Sequence, residues 1–536
     1  MTKQFRNPLK ILIFGIMKRN VNDFGQGFFT LSRQILFLVC IYLIVLTFRG
    51  FLFVSNDPVD IMSYAKFLSD PNLYPHDFYI QHLHSAFPNE RWIFSGLLSL
   101  LAEHLHWITL LLHAITSLFL FLGIFRIASL YIKNEFLRWL VILIIIGPLY
   151  DTNPGACEIY YNMFISSLVA KSLGVWSVYF FLKKKSMMTF LLLIPATLIH
   201  PTVGAQLFLI LTGTGILRWK IMRKNQLLTG VLLYLLTAGI YIALLHWKLN
   251  QNSGISEQEM FEIFEFRIAH HFFPSYFPVH TFFIAIVLWG FSMWYFLKRK
   301  LWNIFILQVV ILAGMIFYTF FTEVYPMSSV LSSQWFKTSI WLQLTGIIAL
   351  LAWLEEVFQR LKISLLQNLS LEWSLPFGAV LVVALALSGN SFFSGKKYEF
   401  FFTEFYSDEA EIGLLAKKTT PIDAVFVVPL SFTEFKYFSE RSLYIDYKSV
   451  VHRKDVLGAW YKRIREIYGI DLESRKTLND LLAEANKNYA KLNSVEVKNL
   501  LQNGVRYYVG FSNQKLPYKI VAQNASYRIF DLHLSK

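Results

Sequence analysis

The stretch Trp302–Phe321, WNIFILQVVILAGMIFYTFF, runs for 20 residues without a charged side chain. A helix rises about 1.5 Å per residue, so roughly 20 apolar residues cross the ~30 Å hydrocarbon core of a bilayer. The basic run Lys298-Arg299-Lys300 precedes the stretch, and Glu323 follows it. The stretch is therefore predicted to be a transmembrane helix with its basic end on the cytoplasmic side, where loops are rich in lysine and arginine.

Apolar blocks of similar length recur along the first three-quarters of the chain. Apolar residues make up 55% of the sequence and charged residues 16%, whereas about a quarter of the residues of a soluble domain are charged. The fold class predicted is an α-helical polytopic membrane protein. Its spans are expected near residues 35–54, 105–125, 139–150, 162–182, 187–199, 203–217, 227–246, 279–297, 302–321, 338–354 and 374–389, about eleven in all.

The net charge of +15 comes largely from basic clusters between these spans. Residues 183–185, 218–224 and 298–300 are such clusters, and they mark cytoplasmic loops. A basic groove with interleaved aromatic residues, the pattern of nucleic-acid binding, does not occur, so no nucleic-acid partner is predicted. The chain is interpreted as a multi-pass protein of the cell inner (cytoplasmic) membrane, in contact with membrane lipid. Its N-terminus is predicted to be cytoplasmic and its C-terminal domain extracytoplasmic.

The composition changes near residue 395, after which no long apolar run occurs. Residues 1–394 are predicted to form the transmembrane domain, with a long first outer loop at 55–104. Residues 395–536 are predicted to form a small soluble α/β domain on the outer face. Strands are expected at 424–430, 442–447, 505–510 and 527–532, and helices at 472–487 and 493–501.

Two aspartates follow directly after the first predicted span. Asp57 suits the N-cap of a helix, Pro58 its first position and Asp60 its first turn, so both carboxylates have a local structural role available. In the competing functional interpretation, the same short helix holds both carboxylates over the outer ends of the spans. One of them is then a general base toward an acceptor hydroxyl. The other orients that hydroxyl or binds a metal.

Arg267, His270 and His271 are predicted to lie within one helical turn, because residues three and four apart share a face. A guanidinium suits bidentate phosphate contacts, and an imidazole can protonate a leaving oxygen. The alternative is a segment at the membrane interface, since aromatic residues surround these three. Adjacent histidines alone are a weak metal signal, and no zinc site is predicted.

Gln334 and Lys337 open a span that is predicted to run inward from the outer face. The helix amino terminus and the lysine together suit a phosphate, while a lysine that snorkels to the interface is the alternative. Lys171 lies inside a predicted span, so it needs a carboxylate, a phosphate or a water-filled cavity. Glu158 lies at the outer entrance of that span. His200 begins His200-Pro201-Thr202, which breaks an apolar stretch where a cavity is expected.

The chain resembles the GT-C superfamily of integral membrane glycosyltransferases. The likeness is in its many spans, the acidic residues after the first span, the long first outer loop and the C-terminal outer domain. It is similar more narrowly to a bacterial group of GT-C-like membrane proteins of poorly defined function. The residues that carry this similarity are Asp70–Tyr79 (DPNLYPHDFY), Glu158, Lys171–Trp176 (KSLGVW), His200-Pro201-Thr202, Arg267–Ser275 (RIAHHFFPS), Gln334–Trp341, Ala424–Pro429 and Ser442–Lys448 (SLYIDYK).

The resemblance implies that Asp57 or Asp60 is the catalytic aspartate. It also implies a polyprenyl-phosphate-linked sugar as donor and transfer at the outer face, with a glycan, lipid or protein as acceptor. The spacing Asp-Pro-Val-Asp departs from the adjacent or Asp-X-Asp acids that many of these enzymes show. The choice of aspartate and the need for a divalent cation, Mg²⁺ or Mn²⁺, therefore stay open.

Other functions compete with this interpretation. A transporter or flippase of a lipid-linked or polar substrate would also place polar groups in broken helices, near the bilayer midplane and often with inverted repeats. A GT-C-like protein without catalysis is a further alternative. A phosphoethanolamine transferase would need a metal cluster in the outer domain, where His452 stands alone among basic residues.

Overall fold

The computed structural model describes residues 34–46, 49–54, 57–149, 152–249, 254–362, 407–471 and 477–535. The helix Gln34–Leu46 (α1) belongs to one compact unit. Residues 51–362 and the described residues from 407 onward belong to a second compact unit, which holds every side chain discussed below. The predicted fold class is confirmed, because the chain is mostly helical, with several apolar helices and a small C-terminal sheet domain.

Five stretches of the described chain are long and apolar enough to cross a membrane: Ala102–Ala128, Lys224–Lys248, Val279–Lys298, Trp302–Val324 and Ser328–Arg360. Val279, Phe283 and Ile316 on these helices are 83%, 71% and 73% exposed, as expected for side chains that face lipid. The apolar helices are α5 (Leu105–Ala128), α6 (Glu135–Ile146), α7 (Ser166–Leu182), α8 (Ser186–Ile199), α9 (Pro201–Leu217), α10 (Lys224–Tyr234), α11 (Ile240–Leu249), α13 (Val279–Lys298), α14 (Trp302–Thr319) and α16 (Ser339–Arg360).

The helix positions agree with the predicted spans where the structure describes them. The span predicted at 139–150 begins earlier, because the Asn134 side chain accepts a hydrogen bond from Leu137 N and caps α6. The span predicted at 374–389 lies outside the described residues. The number of spans, their orientation and the domain boundary at residue 395 therefore stay predictions.

The first outer loop folds into three short helices, α2 (Pro58–Ser69), α3 (Phe78–Ser85) and α4 (Trp92–Ser99). Pro58 occupies the first turn of α2, where its missing amide hydrogen is no loss. Asp77 caps α3 by accepting a hydrogen bond from Ile80 N at 3.0 Å. Helix α12 (Glu257–Phe272) and the short helix α15 (Ser328–Leu331) occupy two later loops predicted to lie on the same face.

The outer domain contains a five-stranded mixed sheet in the order β2-β1-β3-β5-β4. Strand β1 pairs in parallel with β2 and β3, and β5 pairs antiparallel with β3 and β4. The strands are β1 (Val425–Val427), β2 (Ser442–Leu443), β3 (Tyr507–Phe511), β4 (Tyr518–Gln523) and β5 (Tyr527–Ser535). The helices are α17 (Asp408–Thr419), α18 (Phe435–Ser439), α19 (Lys454–Tyr468), α20 (Leu478–Ala490) and α21 (Ser494–Asn499).

One hydrophobic core joins the first outer loop, α12 and the outer domain. Tyr64, Phe78 and Phe264 pack in the same cluster as Trp460 and Tyr508. The burial of such aromatic side chains supplies much of the free energy of packing. The outer domain is therefore held firmly against the loop helices, and its own loops reach the residues around Asp57.

Candidate functional site

Asp57 is an accessible carboxylate at the start of α2. It occupies the N-cap position, but its side chain makes no capping hydrogen bond. Its Oδ1 instead lies 2.5 Å from the Lys448 Nζ of the outer domain, and the Asp57 side chain is 51% exposed. Partial desolvation of the Asp57 carboxylate raises its pKa, but the positive charges of Lys448 and Arg91 outweigh this effect and lower the pKa of Asp57 to about 2. Asp57 therefore stays ionised at neutral pH, and the role of helix cap is not performed by its side chain.

Asp60 has a different environment, although it lies in the same helical turn. It is 5% exposed, and the Ser449 hydroxyl of the outer domain donates a hydrogen bond to its Oδ1. Burial raises the pKa of Asp60 against the opposing charges of Arg91 and Lys436. The structure thus separates the two aspartates, with Asp57 accessible and Asp60 buried at the junction between the first outer loop and the outer domain.

Lys436 is the centre of a buried ionic network next to Asp60. Its Nζ lies 2.6 Å from Asp446 Oδ2 and 3.6 Å from Asp77 Oδ1. It also donates a hydrogen bond to Ser449 Oγ at 3.2 Å. The Lys436 side chain is 3% exposed, so its charge has exchanged water for these partners. The network links the loop helices to the outer domain and fixes their relative position.

Cationic side chains from three segments surround Asp57. Arg91 precedes α4, Lys337 lies before α16, and Lys448 follows β2. The charges of Arg91 and Lys337 interact with each other and with that of Asp57. Arg91 Nε is buried and has no hydrogen-bond partner among the described residues. Because buried polar groups are normally hydrogen-bonded, this cationic centre suits an anionic ligand.

Gln334 and Lys337 lie on a segment that its neighbours hold tightly. Gln334 adopts a left-handed conformation with φ of 47°. Gln206 Nε2 donates a hydrogen bond to the Gln334 carbonyl at 3.0 Å. A Cβ atom on Gly155, where φ is +96°, would lie 2.7 Å from the Phe336 carbonyl carbon, so only glycine allows this approach. Gln334 therefore contributes its backbone to the positioning of Lys337.

Lys171 is buried inside α7 and is 1% exposed. Its ammonium donates hydrogen bonds to Cys157 Sγ at 3.2 Å, to the Tyr161 hydroxyl at 3.1 Å and to the backbone carbonyl of Glu158. The sequence predicted a carboxylate, a phosphate or a water-filled cavity as its partner. A loop that folds back over the end of α7 supplies a thiol, a phenol and a carbonyl in their place. Lys171 thus holds this loop against α7, and Glu158 contacts Lys171 through its backbone carbonyl.

The segment Arg267–His271 does not form one continuous helical turn, contrary to the prediction. Helix α12 kinks at Ile268, whose φ of −147° and ψ of 42° are not helical. Arg267 donates a hydrogen bond from Nη2 to the Lys448 carbonyl at 2.5 Å, so it supports the outer domain. After the kink, the His271 imidazole lies close to the Asp57 carboxylate. The predicted cluster is therefore divided: Arg267 contacts the outer domain, whereas His271 lies near Asp57.

His200 and His271 are neutral at physiological pH. The rings of His270 and His271 lie 4.2 Å apart, and His271 Nδ1 has no hydrogen-bond partner within the described part of the chain. His200 Nδ1 accepts a hydrogen bond from Val203 N at 3.4 Å and caps α9. Burial lowers the pKa of His200 to about 3 and that of His271 well below its ordinary value. Neutral imidazoles can bind an acceptor or a sugar hydroxyl, but they are poor acids toward a leaving phosphate.

His452 provides a test of this electrostatic environment. Burial, together with the charges of Arg267 and Arg91, lowers the pKa of His452 from 6.5 to about 3. Between pH 6.5 and about 3, His452 binds a proton in the unfolded chain but stays neutral in the folded protein. The contribution of neutral His452 to stability is therefore complete above pH 6.5 and is lost as the pH falls toward 3. We expect the stability of His452→Gln to fall less steeply than that of the unaltered protein between pH 6.5 and pH 5.

Thermal unfolding in detergent across this pH range measures the effect. The two slopes should differ by about 1.4 kcal/mol per pH unit, the free energy of one proton. His533→Gln, at an exposed position on β5, is the matched control and should keep the slope of the unaltered protein. Equal slopes for His452→Gln and the unaltered protein would contradict the neutral buried state.

A metal site is not evident at the predicted acidic pair. Among the described residues, no group of three or more histidine, cysteine, aspartate or glutamate side chains could hold a metal ion. Asp57 is already paired with Lys448, and Asp60 accepts from Ser449. The described residues therefore do not fit a protein-held Mg²⁺ or Mn²⁺, and the dependence on a divalent cation stays a prediction.

Several residues of the site were not among the predicted ones. Lys448, Lys436 and Ser449 belong to the outer domain and approach Asp57 or Asp60 from the distant end of the sequence. The one signal in the sequence was the segment Ser442–Lys448, which is among the segments that carry the resemblance and ends in the lysine that pairs with Asp57.

Comparisons with known proteins found one family model that matches part of the chain and two solved structures that align with most of it. A family model described as a domain of unknown function (DUF6798) matches residues 407–467, the part of the outer domain that contains Lys436 and Lys448. No curated protein matches the chain by sequence.

Two solved structures are similar over most of the chain. The oligosaccharyltransferase AglB from Archaeoglobus fulgidus, in complex with an inhibitory peptide and a dolichol-phosphate, has 12% sequence identity and a TM-score of 0.46, over 90% of this chain and 70% of that chain. ArnT from Cupriavidus metallidurans, bound to undecaprenyl phosphate, has 13% identity and a TM-score of 0.43, over 93% of this chain and 97% of that chain.

Proposed function

We propose that the chain is a glycosyltransferase that moves a sugar from a polyprenyl-phosphate donor to an acceptor hydroxyl at the outer face of the cytoplasmic membrane. The observation that carries this proposal is the accessible, ionised Asp57 within the cationic group Arg91, Lys337 and Lys448. A carboxylate next to cationic side chains, one of which has in Arg91 Nε a buried donor that is unsatisfied among the described residues, suits a reaction in which one group loses a proton and another leaves as phosphate. The apolar helices around the site suit a donor with a lipid tail.

In the proposed reaction, the acceptor hydroxyl oxygen attacks the anomeric carbon on the face opposite the phosphate. A new carbon–oxygen bond forms as the bond between the anomeric carbon and the phosphate oxygen breaks. The electron pair of the breaking bond goes to the phosphate, and the acceptor proton goes to Asp57. The products are the glycosylated acceptor, with inverted configuration, and the polyprenyl phosphate.

Asp57 is a weak base, and this fits a late proton transfer. A carboxylate with a pKa of about 2 does not deprotonate a free alcohol. Once the acceptor oxygen bonds to the anomeric carbon, that hydroxyl becomes strongly acidic, and even a weak base accepts its proton. Asp57 thus orients the hydroxyl first and receives its proton late in the step.

The phosphate gains negative charge as it leaves. A phosphodiester carries one charge, and the departing phosphate monoester carries close to two at neutral pH. Arg91, Lys337 and Lys448 would stabilise that added charge more strongly than the charge of the donor, and this difference lowers the barrier. Lys171 would add to the positive potential without direct contact, because its ammonium is already occupied.

The test is mass spectrometry of lipid-linked and surface glycans in cells with the intact protein, with its deletion and with single variants. We expect the deletion to remove one sugar from a surface glycan and to accumulate the corresponding polyprenyl-phosphate sugar. Asp57→Asn should reproduce both changes at matched membrane expression. Asp423→Asn, at an exposed position of the outer domain, should behave like the intact protein.

Either of two outcomes would contradict the proposal. A deletion that leaves all glycans unchanged would remove the glycosyltransferase assignment. A deletion phenotype that Asp57→Asn fully rescues would favour a transporter or a non-catalytic role, since neither needs a proton acceptor at this position.

A further inference from the structure

The ion pair between Lys448 and Asp57 occupies the carboxylate that the proposed reaction needs. The Lys448 Nζ lies 2.5 Å from Asp57 Oδ1, and the two side chains are 34% and 51% exposed. A carboxylate that accepts from an ammonium is less available to an acceptor hydroxyl. The pair also differs from a buried structural pair, because water reaches both partners and a partly exposed pair contributes little to stability.

The backbone of Lys448 is held by neighbouring residues, whereas its side chain is 34% exposed and contacts the exposed Asp57. Arg267 Nη2 donates to the Lys448 carbonyl at 2.5 Å, and the Tyr447 hydroxyl donates to the Arg267 carbonyl at 2.8 Å. The following residue is held as well, since Ser449 N donates to Asp446 Oδ1 at 2.5 Å. A lysine side chain has a flexible four-carbon stem. The ammonium can therefore move from one anion to another without a change of the backbone.

A second anion is expected within reach of that ammonium. Arg91 and Lys337 interact electrostatically with Asp57, and Arg91 Nε and His271 Nδ1 are buried without a hydrogen-bond partner among the described residues. A phosphate that satisfies these groups would lie beside the Asp57–Lys448 pair. Phosphate oxygens compete strongly for an ammonium, because charge-assisted hydrogen bonds to them are short and strong.

We propose that the phosphate of the donor takes the Lys448 ammonium away from Asp57, so that donor binding itself frees the base. This inference rests on the proposed function and assigns Lys448 as a further substrate-binding residue. Before the donor binds, the lysine neutralises the aspartate. After it binds, the lysine stabilises the phosphate and both Asp57 oxygens become available to the acceptor. The exchange imposes an order in which the donor binds before the acceptor.

In this exchange, Asp57 and the phosphate compete for the Lys448 ammonium, so the two residues are expected to have opposite effects on phosphate affinity. When Asp57 is replaced by Asn, Lys448 loses its resting partner and is fully available to the phosphate, so the apparent affinity should rise. When Lys448 is replaced by Gln, one phosphate ligand is lost and the affinity should fall. A purely structural ion pair predicts that both variants have the affinity of the unaltered protein, or that both weaken it.

The experiment measures the binding of farnesyl monophosphate to the purified full chain in lipid nanodiscs by calorimetry, with inorganic phosphate in a parallel arm. We expect Asp57→Asn to bind farnesyl monophosphate about three- to tenfold more tightly and Lys448→Gln at least about tenfold more weakly. Lys448→Arg keeps the charge and should stay within about threefold. The control is Lys417→Gln, because Lys417 forms an ion pair of 2.6 Å with Glu440 in the same domain and is 46% exposed.

The outcomes separate this inference from the proposed function. Equal or weaker binding by Asp57→Asn, in a variant with an unchanged melting temperature, would overturn the exchange while leaving the donor class intact. A loss of affinity in Lys417→Gln as large as that in Lys448→Gln would overturn it too, because the effect would then be general. If the unaltered protein binds neither farnesyl monophosphate nor inorganic phosphate, the polyprenyl-phosphate donor itself is wrong, and the exchange fails with it.

Discussion

Asp57→Asn is expected to lower kcat/KM of sugar transfer by about 10²- to 10⁴-fold, the usual contribution of a positioned general base. The reason is that Asp60, the other aspartate of this helical turn, is 5% exposed and hydrogen-bonded to Ser449, so it does not replace the lost base. Asp57→Glu should retain part of the activity. Steady-state kinetics with the natural donor measures the effect, and the exposed Asp423→Asn should remain near the unaltered rate.

The pH profile adds a second readout for the same variant. Because the pKa of Asp57 is lowered to about 2, its ionised form is complete above that value and is lost only as the pH falls through it. An acidic limb of kcat/KM between pH 5 and pH 8 should therefore not come from Asp57. A decrease of less than tenfold in Asp57→Asn would assign the proton transfer to another group or to water.

Lys436→Met is expected to destabilise the outer domain by about 3 to 5 kcal/mol, the range found when one partner of a buried ion pair is removed. The lysine is 3% exposed and lies between Asp446 and Asp77, so its loss leaves two buried carboxylates without compensation. Asp60 loses a neighbouring positive charge as well. Thermal unfolding and limited proteolysis of residues 407–535 measure the change.

Two variants make this expectation specific. Lys417→Met removes an exposed lysine whose partner Glu440 keeps a second contact to Lys66, and it should cost less than about 1 kcal/mol. Adding Asp446→Asn to Lys436→Met removes one uncompensated charge and should restore part of the lost stability. Unfolding of Lys436→Met at the temperature of the unaltered protein would show that the network does not hold the outer domain.

The spans were predictable from the sequence because hydrophobicity acts locally. The composition of a run such as Trp302–Phe321 is by itself enough to predict a helix in an apolar environment, and a helix does start at Trp302. The strands β1, β2, β3 and β5 were found for a similar reason, since short apolar runs between turns are typical of strands. Strand β4 was missed, and only one of its six residues is fully buried, as expected at the edge of a sheet.

The sequence predicted the site residues of the first outer loop but not their partners in the outer domain. Asp57 stood out because an acid after a span is unusual, but nothing near it in the sequence indicates a partner as distant as Lys448. Asp60 and Ser449, which share a hydrogen bond, are 389 positions apart. The kink at Ile268 has no signature in the helical periodicity of the segment, so the sequence could not reveal it. Long-range contacts of this kind arise from tertiary structure alone.

The core shared by the first outer loop and the outer domain has a consequence for biogenesis. Helices α2 and α3 leave the ribosome early, whereas Tyr508 and Phe530, which pack in the same cluster, come hundreds of residues later. At about 5 to 20 residues per second, translation of that interval takes roughly 20 to 90 s. During this time the aromatic side chains of the first outer loop lack the outer-domain residues against which they pack in the folded protein. A cell that makes this protein therefore has to protect an unfinished segment outside the membrane until the last strand arrives, and a truncated chain would remain a target for quality-control proteases.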